Sequence, residues 1–206
     1  LSGIKFFNTP NCKHCTEHNN SICDLRCSKV MQEFIRENKG IISGIFIEPI
    51  LASNGVEIIP DRFIQHIQEL CFKYQLLFAV DEVALGFYRT GYAFYSEKLG
   101  IQPDIICMAK GINSGYLPLG ATAFNKNITE AYSALQGDLI MHGSTQAGNL
   151  LSCAACIASI EQYIDLDVSN NVTMLGKYMK EQLVEKLSNN PNVGEIKGEG
   201  LLIAID

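Results

Sequence analysis

The chain has 206 residues, 47% of them hydrophobic and 18% charged, a balance that allows a buried core and excludes disordered and fibrous classes. Its 16 basic and 22 acidic side chains leave a net charge of −6 with no Lys/Arg cluster to neutralise a phosphate backbone, which argues against nucleic acid as a partner. No apolar run approaches the roughly 18 residues that span a bilayer, and eight cysteines without a signal segment suit a soluble protein of the reducing cytoplasm, not a disulfide scaffold.

In chain order, the first group that draws notice is Cys12, Cys15, Cys23 and Cys27, with His14 and His18 nearby, a set with the residue types of a zinc site. Its spacing does not fit: one pair is separated by two residues, the other by three, and only seven lie between the pairs. The segment is read as a connection carrying free thiols, and no metal site is expected. Ile45, Phe46 and Ile47 then form a short strand ended by Glu48-Pro49, because proline lacks a donor and restricts the residue before it. After Pro60, apolar residues at Phe63, Ile64, Ile67, Leu70, Cys71 and Tyr74 make the stripe of an amphipathic helix. The continuous apolar run Leu76 to Val80 is the pattern of a strand buried on both faces of a parallel sheet. A short helix from about Ala93 to Leu99 and a second buried strand, Ile105 to Ala109, follow.

Gly111 to Gly120 reads as a glycine-rich loop, Leu150 to Ile164 as a helix apolar nearly all round and therefore buried, and Val172, Leu175, Met179, Leu183 and Leu187 as the stripe of a longer helix. Val193 to Ile196 and Leu201 to Ile205 read as strands, the second stopping with the chain, so that the chain, which opens on Leu1, is expected to be a fragment. Strands alternating with crossover helices give an α/β fold with a mainly parallel sheet and flanking helices. A boundary near Asp165 divides it into 1–165, part of a large domain, and 166–206, the start of a smaller α+β domain.

Glu48, Asp81 and Lys110 each stand directly after one of the three strands, and in an open parallel sheet ligands bind outside the carboxyl ends. A lysine beside a carboxylate and bordered by glycines suits imine chemistry, since a desolvated amine loses its proton near neutral pH and becomes nucleophilic. On spacing alone, an Asp81–Lys110 ion pair at the rim of the sheet is the competing reading.

Asp81-Glu82-Val83, Gly86-Phe87, Arg89-Thr90-Gly91, Pro103-Asp104-Ile105 and Ala109-Lys110-Gly111 resemble the core signature of the class III aminotransferases, as do Glu48-Pro49, Pro118-Leu119-Gly120 and His142-Gly143-Ser144-Thr145. The resemblance runs from about Asn11 to Asp206. It implies the pyridoxal-phosphate transferase fold type I, with a three-layer large domain, and transfer of an amino group between an amino donor (an omega-amino acid, diamine or similar) and an oxo acid or aldehyde. It further implies that Lys110 carries pyridoxal 5'-phosphate as an imine and afterwards moves a proton between the substrate carbon and the cofactor, while Asp81 keeps the pyridine nitrogen protonated. Val83, on the side of Asp81 by two-residue alternation, would pack on the ring face, and Ser144 and Thr145 would bind the phosphate of a neighbouring subunit in a homodimer. Glu48 would contact a polar group of substrate or cofactor, or solvent only.

The sequence also departs from the family. Ala84 stands where ornithine-type members often carry glutamine, which brings the omega-amino-acid and diaminopelargonate-forming branches nearer, and Tyr88 replaces the glycine usual before Arg89. The family's phosphate loop and stacking aromatic would lie upstream of Leu1, and its substrate-binding arginine beyond Asp206. A lyase or aminomutase of the same fold, or an inactive fragment, are the alternatives to amino transfer.

Overall fold

The structure, a computed structural model, describes residues 3–10, 23, 25–136 and 143–206. Cys12, Cys15, His14, His18 and His142 lie outside the described residues. A 3-10 turn, Arg26–Ser28, leads into α1 (Lys29–Glu37), which places Met31 and Ile35 in the core. Then come β1 (Gly44–Ile47), a small antiparallel ribbon of β2 (Ile50–Leu51) and β3 (Glu57–Ile58), and α2 (Asp61–Tyr74). Pro60 supplies a preset φ of −56° just before α2, whose stripe Phe63, Ile64, Ile67, Leu70 and Cys71 is buried.

The chain re-enters the sheet as β4 (Leu77–Asp81), crosses through α3 (Tyr95–Leu99), and returns as β5 (Ile105–Met108). A 3-10 turn at Lys110–Asn113 and a loop precede β6 (Ala121–Phe124), followed by α4 (Lys126–Gln136), α5 (Leu150–Asp165), α6 (Val168–Leu187) and the hairpin β7 (Ile196–Glu199) and β8 (Leu202–Ile205). Among the described residues the main sheet has the order β1-β4-β5-β6, with β1, β4 and β5 parallel and β6 antiparallel to β5. Ile50, Ile59, Ile64, Ile67, Phe78, Val80, Leu85, Tyr95 and Leu99 form the fully enclosed part of the core. Burial of Ile and Phe side chains of this size stabilises by roughly 1.5–3 kcal/mol each, which is what holds α2 and α3 against β4.

β1, β4, β5, α2 and α3 lie where the apolar runs and stripes placed them. Corrections concern the edges. β6, α4, α1 and the β2–β3 ribbon carried no expectation, and β7 begins at Ile196, where a strand over Val193–Ile196 was expected. α5 is a helix but not a buried one: Leu150 is 85% exposed and Leu151 72%, and within it only Ser152 and Ser159 are enclosed by the described residues. An all-round apolar composition requires cover, and these residues supply it on one face alone.

The hairpin packs back on the first half of the chain. Leu202 and Ala204 lie against the core, and Lys197 bridges Glu57 at 3.1 Å and Asp206 at 2.9 Å. Three backbone segments meet at one point: Gly200, with φ +55°, sits so close to Thr90 that a Cβ would fall 2.6 Å from its carbonyl carbon, and a Cβ on Gly176 of α6 would collide with the backbone of Gly200. The Leu201 amide donates to the Arg89 carbonyl at 3.1 Å, fixing the same junction. Among the described residues, no helix is long and apolar enough to cross a membrane.

Candidate active site

The pairing Ile47↔Val80 and Asp81↔Cys107 brings the ends of β1, β4 and β5 to one edge, and Met108↔Ala121 brings the start of β6 there too. Glu48, Asp81 and Lys110 therefore share the carboxyl edge of three parallel strands, as their positions predict. Asp81 ends β4 by its own chemistry. Its Oδ1 accepts the Val83 amide at 2.9 Å, an Asx turn that bends the chain out of the strand. The amides of Leu85 and Gly86 close further turns on the Glu82 carbonyl. Val83 is thus a half-buried turn residue, and the two-residue alternation that put it beside Asp81 stops before reaching it.

Glu82 faces the opposite way into the protein and is fully buried. Its carboxylate accepts the Tyr95 amide at 3.0 Å and, at 2.7 Å each, the Ser96 amide and hydroxyl, which satisfies the orphan donors at the start of α3. Burial pushes its carboxyl pKa up, with the bonds from Ser96 and Tyr95 pulling the other way. The sequence signal for it was the carboxylate next to Asp81, which alternation directs inward.

Lys110 follows the extended Ala109 with φ +47°, a left-handed conformation that costs a non-glycine residue of order 1 kcal/mol or more. Gly111 makes the turn possible, since a Cβ there would lie 2.9 Å from the Phe87 Cβ and 3.3 Å from the Gly86 carbonyl oxygen. The turn is held by Tyr163 of α5, whose Oη donates to the Gly111 carbonyl at 2.6 Å, and by Asn113, whose side-chain amide donates to the Leu117 carbonyl at 2.6 Å. Lys110 itself is exposed, and among the described residues nothing hydrogen-bonds or ion-pairs its Nζ. The rim ion pair with Asp81 is therefore not formed, and Asp81 Oδ2 is likewise left without a partner among these residues. Glu48 Oε1 accepts the Ala52 amide at 3.1 Å and closes the turn after β1.

Ser144 and Thr145 lie on an exposed turn before α5, where Ser144 Oγ accepts the Gln146 amide at 3.4 Å. Asn149 caps that helix, its Oδ1 accepting the Leu151 and Ser152 amides at 3.1 Å each. The structure thus gathers Asp81, Val83 and Lys110 at one edge and leaves Ser144 and Thr145 without a hydrogen bond to any of them. Tyr163 escaped the sequence reading because its partner lies 52 positions away.

The family model described as Aminotransferase class-III matches residues 1–206. The chain belongs to that family. Among curated class-III relatives, it is 37% identical over 166 residues to an uncharacterized aminotransferase, YhxA, of Bacillus subtilis, covering 80% of this chain and 37% of that one. It is 33% identical over 179 residues to an adenosylmethionine-8-amino-7-oxononanoate aminotransferase of Staphylococcus aureus, covering 85% and 39%. Among solved structures, an aminotransferase of Bacillus anthracis superposes with a TM-score of 0.84 at 34% identity over 89% of this chain and 41% of that one. An amine transaminase from an uncultivated Pseudomonas species, in its PLP-bound form, does so with 0.83 at 36% over 87% and 41%. The class-III chain spans about two fifths of the length of the curated relatives it matches. Its mainly parallel sheet with flanking helices is the fold type I arrangement of the pyridoxal-phosphate transferases.

Proposed function

We propose that the protein is a pyridoxal-phosphate-dependent aminotransferase that moves an amino group from an omega-amino acid, diamine or similar donor to an oxo acid or aldehyde. The observation that carries this reading is the placement, on neighbouring strand ends of β5 and β4 at the open edge of a parallel sheet, of a lysine amine without a partner among the described residues and a half-engaged carboxylate. The donor set fits the cofactor. Lys110 offers a primary amine to an aldehyde, and Asp81, anchored through Oδ1, keeps Oδ2 for a ring N–H.

When bound, pyridoxal phosphate supplies an electron-accepting ring that makes a C–H next to the substrate amine acidic. Lys110 would hold the aldehyde through Nζ, and once released it would take the proton from the substrate carbon and return it at the other end of the exchange. Asp81 would hold a proton on the ring nitrogen, its negative charge favouring the cationic ring. Val83 would lie on the ring face. The Ser144 and Thr145 hydroxyls, beside turn amides, would bind the phosphate of the partner in a homodimer. In this reading 1–165 belong to the large cofactor domain and 166–206 begin the small one, and the thiol content favours the reducing cytoplasm. The test is borohydride reduction of the intact protein with pyridoxal phosphate, followed by peptide mapping. A label on Lys110 is expected, and a label on Lys73, Lys98 or Lys126 overturns the assignment.

A further inference from the structure

We propose that Tyr163 and Tyr88 are positioning residues for the Lys110 amine, an inference that rests on the role given to Lys110 above. Phe87 and Tyr88 are consecutive side-chain-bearing residues at φ +57° and +69°, in the region that glycine occupies freely and other residues do not. Their turn lies directly against the turn that carries Lys110, through the contact of Gly111 with Phe87 Cβ. Tyr88 does not spend this strain on solvent. Its ring meets the Tyr163 ring edge to face, with centroids 5.9 Å apart and planes at 71°.

Tyr163 in turn grips the lysine turn by its hydroxyl. A carbonyl can only accept, so the Tyr163 O–H is committed to Gly111 at 2.6 Å, and the 2.6 Å contact with Ser114 Oγ must be a bond donated by Ser114. The chain Ser114 → Tyr163 → Gly111 spans the turn between two left-handed residues, Lys110 at +47° and Ser114 at +55°. Gly111 is thereby fixed on two sides, by a hydrogen bond at its carbonyl and by Phe87 at its α-carbon. The backbone of Lys110 is held while its Nζ has no partner among the described residues, which is what an amine needs if it must meet a carbonyl from one direction and later move a proton.

The test measures amide hydrogen exchange of residues 110–116 in the intact, cofactor-free protein. Tyr163→Phe keeps the ring and removes the hydroxyl, so exchange there should rise about tenfold, the effect of one lost hydrogen bond, while β4 and α2 exchange as in the unaltered protein. In the loaded protein the same change should shift the pH at which the bound cofactor changes colour and lower kcat with little effect on the donor KM. Tyr88→Gly removes the strain together with the ring. Faster exchange at 110–116 in that variant supports the brace, and slower exchange overturns it. Unaltered exchange in Tyr163→Phe overturns it as well; should that variant fail to fold, Ser114→Ala removes the outer link alone, and a smaller rise is expected, no rise being fatal. Because the exchange is read without cofactor, its outcome is independent of the borohydride label on Lys110: loss of that label in the unaltered protein defeats the proposed function, not the brace.

Discussion

Glu82→Gln isolates the buried carboxylate that caps α3. Glutamine keeps one acceptor oxygen, enough for the Ser96 amide and hydroxyl that Glu82 Oε1 holds at 2.7 Å, but its NH2 then faces the Tyr95 amide that Oε2 accepts at 3.0 Å. Two donors are left opposed in a fully buried site. One buried N–H without an acceptor costs about 1–3 kcal/mol, and this is the expected loss. The pH dependence follows from the raised folded-state pKa. A carboxyl whose pKa lies higher in the folded than in the unfolded protein contributes its stabilisation fully below the unfolded value of 4.5, and loses it as pH rises through the folded one. Glutamine does not titrate, so the gap between the variant and the unaltered protein should be widest at acid pH and shrink toward neutrality. Urea unfolding of the intact, cofactor-free protein at several pH values measures it. A variant as stable as its parent throughout, or a gap that widens as pH rises, refutes the assignment of burial as the dominant influence on Glu82.

Asp81→Asn should fold, since an amide oxygen can still accept from Val83, but turnover should fall by about 2–4 orders of magnitude because a neutral amide cannot hold a ring nitrogen protonated; steady-state kinetics decide. If the protein is the proposed homodimer with shared sites, a Lys110→Ala protein mixed with a Thr145→Ala protein should regain activity after subunit exchange, because one of the two sites would then carry neither defect, and additive, unrestored rates would exclude shared sites. Burial, reinforced by Asp104, pushes the Cys71 thiol up to about 12, so native protein should resist alkylation at Cys71 at pH 8 while urea-unfolded protein reacts, as mass spectrometry of tryptic peptides would show.

The parts of the fold that were legible in the sequence are those in which one physical term dominates. β4 and β5 were legible as strands from their short apolar runs, although the described residues bury only Phe78 and Val80 of β4 and leave β5 half-buried, so cover on both faces is not seen; α2 shows its stripe because one face alone is enclosed. The strand ends placed Asp81 and Lys110 at one edge, and only the resemblance to the class III family turned that placement into proposed roles. β6 was missed because four residues at an antiparallel edge, Ala121 to Phe124, carry no alternation of burial at all. α5 was misjudged in its surroundings, because uniform apolarity says that a helix is to be covered and not by what. For Val83 it was the argument from alternation that failed, because it extended strand geometry one step past a residue whose own side chain ends the strand. Tyr163 acts through a bond to backbone 52 positions away, which no local pattern encodes, whereas the inward turn of Glu82 was legible but its partners at Tyr95 and Ser96 were not.

The meeting of Gly200, Gly176 and Thr90 also sets an order of events during folding. The β7–β8 hairpin reaches back to Glu57 across 140 positions of chain through Lys197, and to Arg89 through Leu201. Closing so long a loop costs entropy before any contact repays it, whereas β1, β4 and β5 are joined by short crossovers. The sheet with α2 and α3 is therefore expected to assemble first and the hairpin to dock onto a finished surface. Two glycines permit that docking at backbone distance, so a methyl group at either position would slow the final step, with the sheet already formed and Glu82 already in place.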